Sequence, residues 1–581
     1  MRWAGKIFVA VAFLTGGVAP SRAQTAHLEA AREAMTAGTA AAQRGDLETA
    51  RQEFARAVQL APGIEPCHAA LGAVLLGLGR TDAAVKELQT AHGMAPGDLS
   101  AALNLARARV AQGRHQDALE LFRAVPADTV LSPEESIAKA TALAATGDAA
   151  PAQATVRAAI ERTPDSAELQ DALGSLLAQA GQMADAVSCF RQAVALGPGM
   201  AIAQYHLGVA LLSQGQSAEA IAPLKLAATA MPGSFDAALQ LGRALSAEHQ
   251  DADALIELHR AAAQREHAPT DAVYQLAVAL QASGDSAGAL PLFAEAVAAN
   301  PSSGGLINYA LAKVQTGDAA GALPLYAKAL ALGPDTPTLR EDYGVAYLQK
   351  AEVERALEQF RAGLKLDPAD AHLHYDAGLA LKLKDDLAGA VPEFQKAAEL
   401  DPSLPDPAYT LGVIYMQQGK SNEAAEQLKH AVELQPNNGD AWALLGSVER
   451  DAGDAAAASA ALERAIQLQP DQPSLHVQLA ALYAQAGKTA EAAAERKTAA
   501  ELTRAAIARQ KASFALKSGR ALFEQNKLPE AVVQLTTAAQ SDPKAAEPHL
   551  LLAEIYTRQG NPAAAEAERK TAAGLQGAGS K

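Results

Sequence analysis

An all-α solenoid of about sixteen helix-turn-helix repeats is the fold class this sequence predicts, and three observations predict it. A 34-residue unit recurs from residue 31 to the end of the chain. Every copy carries alanine at its twentieth place, from Ala50 and Ala84 through Ala356 and Ala424 to Ala531 and Ala565. Twelve copies close with proline at place 32, among them Pro62, Pro96, Pro164, Pro198, Pro232, Pro301, Pro368, Pro402 and Pro470. A stack of such units has no size limit, so 581 residues need not be divided into several globular domains.

The unit is clearest from Pro405 to Asn438. Apolar residues at helical spacing before Gly419 and again after it describe two amphipathic helices, and a glycine between them can adopt the left-handed backbone that ends the first. Gly412, Ala424 and Ala431 are small where the two helices approach closely, so Gly412→Leu is expected to overpack the hairpin at a cost of about 1–3 kcal/mol. Pro436 ends the second helix because it lacks the amide a continuing helix needs. A lone hairpin would leave an apolar face wet, so the units must stack. Copies start near residues 31, 65, 99, 133, 167, 201, 235, 270, 303, 337, 371, 405, 439, 473, 512 and 546.

Leu411, Gly412, Tyr415, Gly419, Ala424, Leu428, Ala431 and Pro436 occupy places 7, 8, 11, 15, 20, 24, 27 and 32 of the unit, and in this the sequence resembles the tetratricopeptide repeat (TPR) family over residues 31–581. The family's bulky aromatic at place 4 is mostly missing, Trp442 being the one tryptophan there. The resemblance implies a right-handed superhelix whose first helices line a concave groove, with places 5, 9 and 12 pointing into it. In the most uniform block those places give Tyr274, Val278, Ile307, Leu311, Val345, Leu348, Tyr375, Leu379, Tyr409, Val413 and Met416, an apolar stripe for an extended segment or an amphipathic helix. Some members hold a partner's terminal carboxylate with lysine at place 5 and asparagine at place 9. No copy here has that pair.

In chain order, residues 1–23 read as an export signal: Arg2 and Lys6, an apolar run from Ile7 to Leu14, then Ser21-Arg22-Ala23 as a cleavage site, with the mature chain opening at Gln24. The alternative is retention as a membrane anchor, although the run falls short of the roughly 20 residues a span needs. Residues 24–488 then form the main repeat array, 489–518 a long connecting helix free of glycine and proline, 519–573 the C-terminal repeats, and 574–581 a flexible tail. Two irregularities interrupt the array: Val125 to Pro133, where the third repeat's second helix is cut short at Pro126, and His267 to Pro269. Around the long helix, Arg496, Lys497, Arg504, Arg509, Lys511, Lys517 and Arg520 face only Glu495 and Glu501, a basic surface for an acidic partner or anionic head groups, or simply a solvated face.

Composition narrows the function. A net charge of −16 becomes −19 once the first 23 residues, with three basic and no acidic side chains, are set aside, and such a surface repels phosphate backbones. Cys67 and Cys189 lie three stacking layers apart, too far for a disulfide, and should be unpaired. Gly487-Lys488-Thr489 lacks the glycine a phosphate loop needs five residues earlier, where Leu482 stands. His372 and His374 are two apart and diverge on a helix, while His249, His259 and His267 gather near the irregular seventh repeat. Acids at place 2, as in Glu168, Asp236, Asp271, Asp406 and Asp440, suit helix N-termini, or else form an acidic rim for a basic partner. The expectation is therefore an exported, periplasmic or secreted scaffold with no enzyme activity and no cofactor. It would bind proteins or peptides in the groove, bind no nucleic acid, and touch envelope components peripherally while a secretion, pilus or outer-membrane machine is assembled. The alternative is a glycan-binding or polysaccharide-export accessory module.

Overall fold

The computed structural model describes residues 22–578. The export signal therefore lies outside the described residues except for Arg22 and Ala23, which open the first helix, Arg22–Gln43. Among the described residues there are thirty-one α-helices, one short 3-10 turn and no strand. The described residues form two compact units that divide between Thr316 and Gly317. Each is a run of antiparallel helix pairs in which consecutive helices pack together and first helices also touch the first helices of neighbouring repeats. That nearest-neighbour pattern is what makes the fold a solenoid.

Three places in the repeat account for the hairpin. At place 20 all sixteen alanines are buried to within 1% of full cover, since any larger side chain would force the two helices apart. At place 8, glycine sits under the place-24 side chain. A Cβ on Gly412 would lie 2.6 Å from Leu428 Cγ, and one on Gly174 would lie 2.6 Å from the Phe190 ring, so the overpacking expected of Gly412→Leu has a direct geometric cause. At place 15 the backbone is left-handed in every repeat, including the four that have no glycine there: His249, Ala351, Asp385 and Asn526, with φ between 56° and 62°. Ala351 has no side-chain polar group to offset that conformation, which costs a non-glycine residue about 1–2 kcal/mol. Ala351→Gly is thus expected to stabilise the hairpin by about 1 kcal/mol, read as a higher urea midpoint; an unchanged or lower midpoint would show that the turn is unstrained.

Place 4, where the family's aromatic is mostly absent, has another use. The ring of His68 has Nδ1 2.6 Å from Glu87 Oε2 and Nε2 3.0 Å from the carbonyl of Pro62, the closing proline of the preceding repeat. The same arrangement recurs at His374 with Glu393 and Pro368, and at His476 with Glu495 and Pro470. Trp442 Nε1 donates to the Pro436 carbonyl at 3.0 Å and Gln204 Nε2 to that of Pro198 at 3.1 Å. The carbonyl at a helix end needs a donor, and place 4 supplies it across the repeat boundary. Except at Trp442, whose indole N–H plays the same part, the aromatic is replaced in these repeats by polar groups that tie one repeat to the next.

The irregular segments follow their local sequence. The second helix of repeat three, His115–Ala124, has only ten residues, and Ser132 then restarts the chain with a capping box to Glu135. After Asp251–Ala263 the 3-10 turn Arg265–His267 takes up the extra length of repeat seven. Two sequence expectations need correction. The long helix runs from Thr489 to Glu524, 36 residues, beyond the expected end at Ser518, because it fuses with the first helix of repeat fifteen and buries Ala515, Gly519 and Phe523 there. The tail expected over residues 574–581 is helical as far as the described residues reach: the helix Pro562–Ala578 continues through them, anchored by the fully buried Ala572. Cys67 is buried and Cys189 half-buried, both as free thiols.

Candidate partner-binding face

The eleven stripe residues lie on five successive first helices: Thr270–Ala282 and Ser303–Gln315 in the first unit, and Pro337–Gln349, Ala371–Leu383 and Pro405–Gln417 in the second. All eleven are half-buried. The exposure comes from the first-helix face and the cover from the core beneath. Tyr274 sets its ring edge-on to Phe293 at 5.9 Å and its hydroxyl accepts from Asn308 Nδ2 at 2.7 Å. Tyr375 leans on Phe394 with ring centroids 5.5 Å apart. Val345, Leu348 and Leu379 pack on the cluster around Phe360 and Phe394, and Tyr409 and Met416 on that around Leu428. Ile307, Leu311 and Val413 are placed alike on their helices.

Tyr274 and Val278 border a large recess of about 610 Å³ also lined by Arg243, Ser246, Gln275 and Asn308. His249, held with positive φ at its turn, forms part of the wall. A second recess of about 470 Å³ lies further towards the N-terminus, between the first helices Pro133–Ala145 and Ala167–Gln179. Its lining includes Ile137, Thr141, Asp171 and Ser175, which are places 5 and 9 of repeats four and five. Restricting the stripe to the uniform block missed this recess, although the same places, read through repeats four and five, would have found it.

The face in the second unit carries carboxyls whose protonation is shifted by burial. Burial raises Asp376, with the charge of Glu341 adding to it, to about 7. Burial alone takes Asp342 to about 6, and Glu341 is also raised, by burial and then by Asp370 and Asp342. These groups neighbour Val345, Tyr375 and Leu379 in sequence on the same two helices. Tyr326, fully buried, sets its ring tilted against that of Tyr343 with centroids 5.6 Å apart.

The remaining sequence candidates resolve individually. His374 belongs to the place-4 arrangement, His372 is exposed, and His259 Nε2 pairs with Asp285 Oδ2 at 3.1 Å. Among the described residues no group of three or more His, Cys, Asp or Glu side chains is placed to hold a metal ion. Gly487 is a repeat turn with φ of 73°, and Lys488 sits over the Tyr483 ring at 5.2 Å. On the long helix Arg504, Arg509 and Lys511 are exposed together with Ile507 and Phe514. No helix among the described residues is long and apolar enough to cross a membrane.

A repeated antiparallel helix pair, stacked through small residues and offering a half-buried face along its first helices, defines an all-α repeat solenoid of the kind that binds other proteins. Tetratricopeptide repeat profiles match residues 137–187, 172–235, 274–337 and 409–473, residues 75–135 and 313–377, and residues 371–404, and a TPR repeat profile matches 519–560. The chain belongs to the tetratricopeptide repeat family, whose repeats serve as scaffolds for protein-protein interaction. No curated protein matches it. Solved structures similar to parts of it include MamA 41-end from Desulfovibrio magneticus RS-1, 23% identical, covering 29% of this chain and 97% of that one with a TM-score of 0.28. The C-terminal part of a TPR repeat-containing protein from Cytophaga hutchinsonii is 15% identical and covers 42% and 97%, with a TM-score of 0.32. YrrB, described as a TPR protein with an unusual peptide-binding site, is 25% identical and covers 34% and 97%, with a TM-score of 0.28.

Proposed function

We propose that this chain is a non-catalytic scaffold that holds extended polypeptide segments along its first-helix face, and that it works outside the cytoplasm in the assembly of an envelope secretion, pilus or outer-membrane machine. The observation that carries the binding reading is the pair of open recesses between successive first helices. Apolar walls take a peptide's side chains there, while amides such as Gln275 and Asn308 can pair with its backbone. The export reading rests on Arg2, Lys6, the apolar run Ile7 to Leu14 and the small residues around Ala23. Proximity labelling by the full chain in living cells tests both. Envelope proteins are the expected neighbours, and a set drawn from ribosomes and cytosolic enzymes would sink the assignment.

One observation favours a second reading, a glycan-binding module. The larger recess brings the phenol of Tyr274 together with Asn308, Gln275, Arg243 and Ser246, and a sugar needs an aromatic face beside hydrogen-bonding groups. Pull-down on immobilised envelope polysaccharide separates the two: retention that Tyr274→Ala abolishes would favour the glycan.

A further inference from the structure

We infer that the recess between Pro133–Ala145 and Ala167–Gln179 is a subsite for an arginine or lysine side chain of the bound polypeptide, a specificity that rests on the peptide-binding reading above. Its volume of about 470 Å³ is ample for one long side chain. Ile137, Ala140, Ala144 and Leu176 give it apolar walls, which suit the methylene stem of a basic residue. Its charged groups are Glu168 and Asp171, and neither lysine nor arginine stands in the lining to neutralise them.

Both carboxylates have lone pairs to spare. Asp171 Oδ1 lies 2.8 Å from His206 Nδ1, and Glu168 Oε2 accepts from the Ser166 hydroxyl at 3.0 Å, while an ionised carboxylate can accept about four hydrogen bonds. Asp171 is only 8% exposed, so its charge is poorly hydrated and gains from a cation brought against it. His115 Nδ1, also in the lining, is sealed from water with no hydrogen-bond partner.

Other side chains fit worse. A carboxylate or phosphate would be driven into two negative groups. A purely apolar side chain would strip the remaining water from Asp171 and return nothing for it. A guanidinium or ammonium on an aliphatic stem meets both requirements, with Arg favoured for its planar fork of donors.

The test uses the full chain against an array of octapeptides identical except at one central position, which holds arginine, lysine, citrulline or norleucine. Arginine and lysine peptides are expected to bind at least tenfold more tightly than their citrulline and norleucine counterparts. Glu168→Gln and Asp171→Asn should erase that preference while leaving the binding of the neutral peptides unchanged. Should Asp171→Asn fail to fold after losing its pair with His206, Glu168→Gln alone decides, because it disturbs only the Ser166 contact. Peptides that bind with no preference for positive charge would overturn the subsite and leave the peptide-binding scaffold standing. Failure of every peptide to bind would overturn both.

Discussion

Replacing Phe360 with alanine is expected to cost the second unit about 3–5 kcal/mol, as large buried aromatics do when truncated in a core that cannot collapse. Phe360 is fully buried at place 24, its ring lies over Gly344, and it packs with Leu357, Leu373 and Ala377. The helix pair was shaped around the ring, since Gly344 offers nothing to fill the space. Phe360→Leu should cost only about 1 kcal/mol, because leucine occupies the same place over glycine at Leu88, Leu224 and Leu428. In a solenoid each repeat contacts only its neighbours, so the loss should be local. Hydrogen exchange should quicken across residues 337–400 and stay slow across 65–120; uniform loosening along the chain would contradict this.

The second large effect is a pH dependence with a definite sign. Burial holds Asp376 protonated up to about 7 and Asp342 up to about 6 in the folded protein, whereas in the unfolded chain both ionise near pH 4. Between these values the folded state binds more protons than the unfolded one, so stability falls as pH rises from about 4 to about 7 and then levels. Asp376→Asn should therefore raise the stability of the second unit at pH 8 by about 2 kcal/mol, partial access to water holding the gain below the full shift, and should change little near pH 4. Thermal melts of both proteins across pH 4–8 measure it. Parallel curves would mean that Asp376 is ionised throughout without cost.

Much of the fold is legible in the sequence because the repeat turns weak signals into a pattern. One alanine at a helix contact says little, but Ala50 through Ala565 at one spacing says that two helices meet there sixteen times. Place 15 was harder: glycine marks the turn in twelve repeats, while Ala351 and Asp385 adopt the same left-handed backbone because the flanking helices dictate it. Helix ends were misplaced where neighbouring packing decided them, as at Glu524 and Ala578. The role of the place-4 histidines, among them His374, which was weighed only as a metal ligand, was not legible because their partners sit nineteen residues away on the second helix; the recurrence of His68 with Glu87, His374 with Glu393 and His476 with Glu495 was the available signal. The recess at Asp171 was missed for a different reason. Side-chain size at neighbouring places, rather than the repeat pattern, determines where a groove opens into a cavity.

Site-specific photo-crosslinking tests the central claim most directly, because it needs neither a known partner nor a destabilising substitution. A photoreactive amino acid is placed at Val278, Leu311 or Leu379 on the first-helix face, or at Leu226, Ile256 or Leu366, which are 56%, 66% and 46% exposed on second helices. After irradiation of cells producing the full chain, polypeptide adducts are predicted from the first three positions and only background from the other three. Adducts forming as readily from Leu226, Ile256 and Leu366, or from none of the first-helix positions, would contradict a scaffold that binds polypeptides along its first helices.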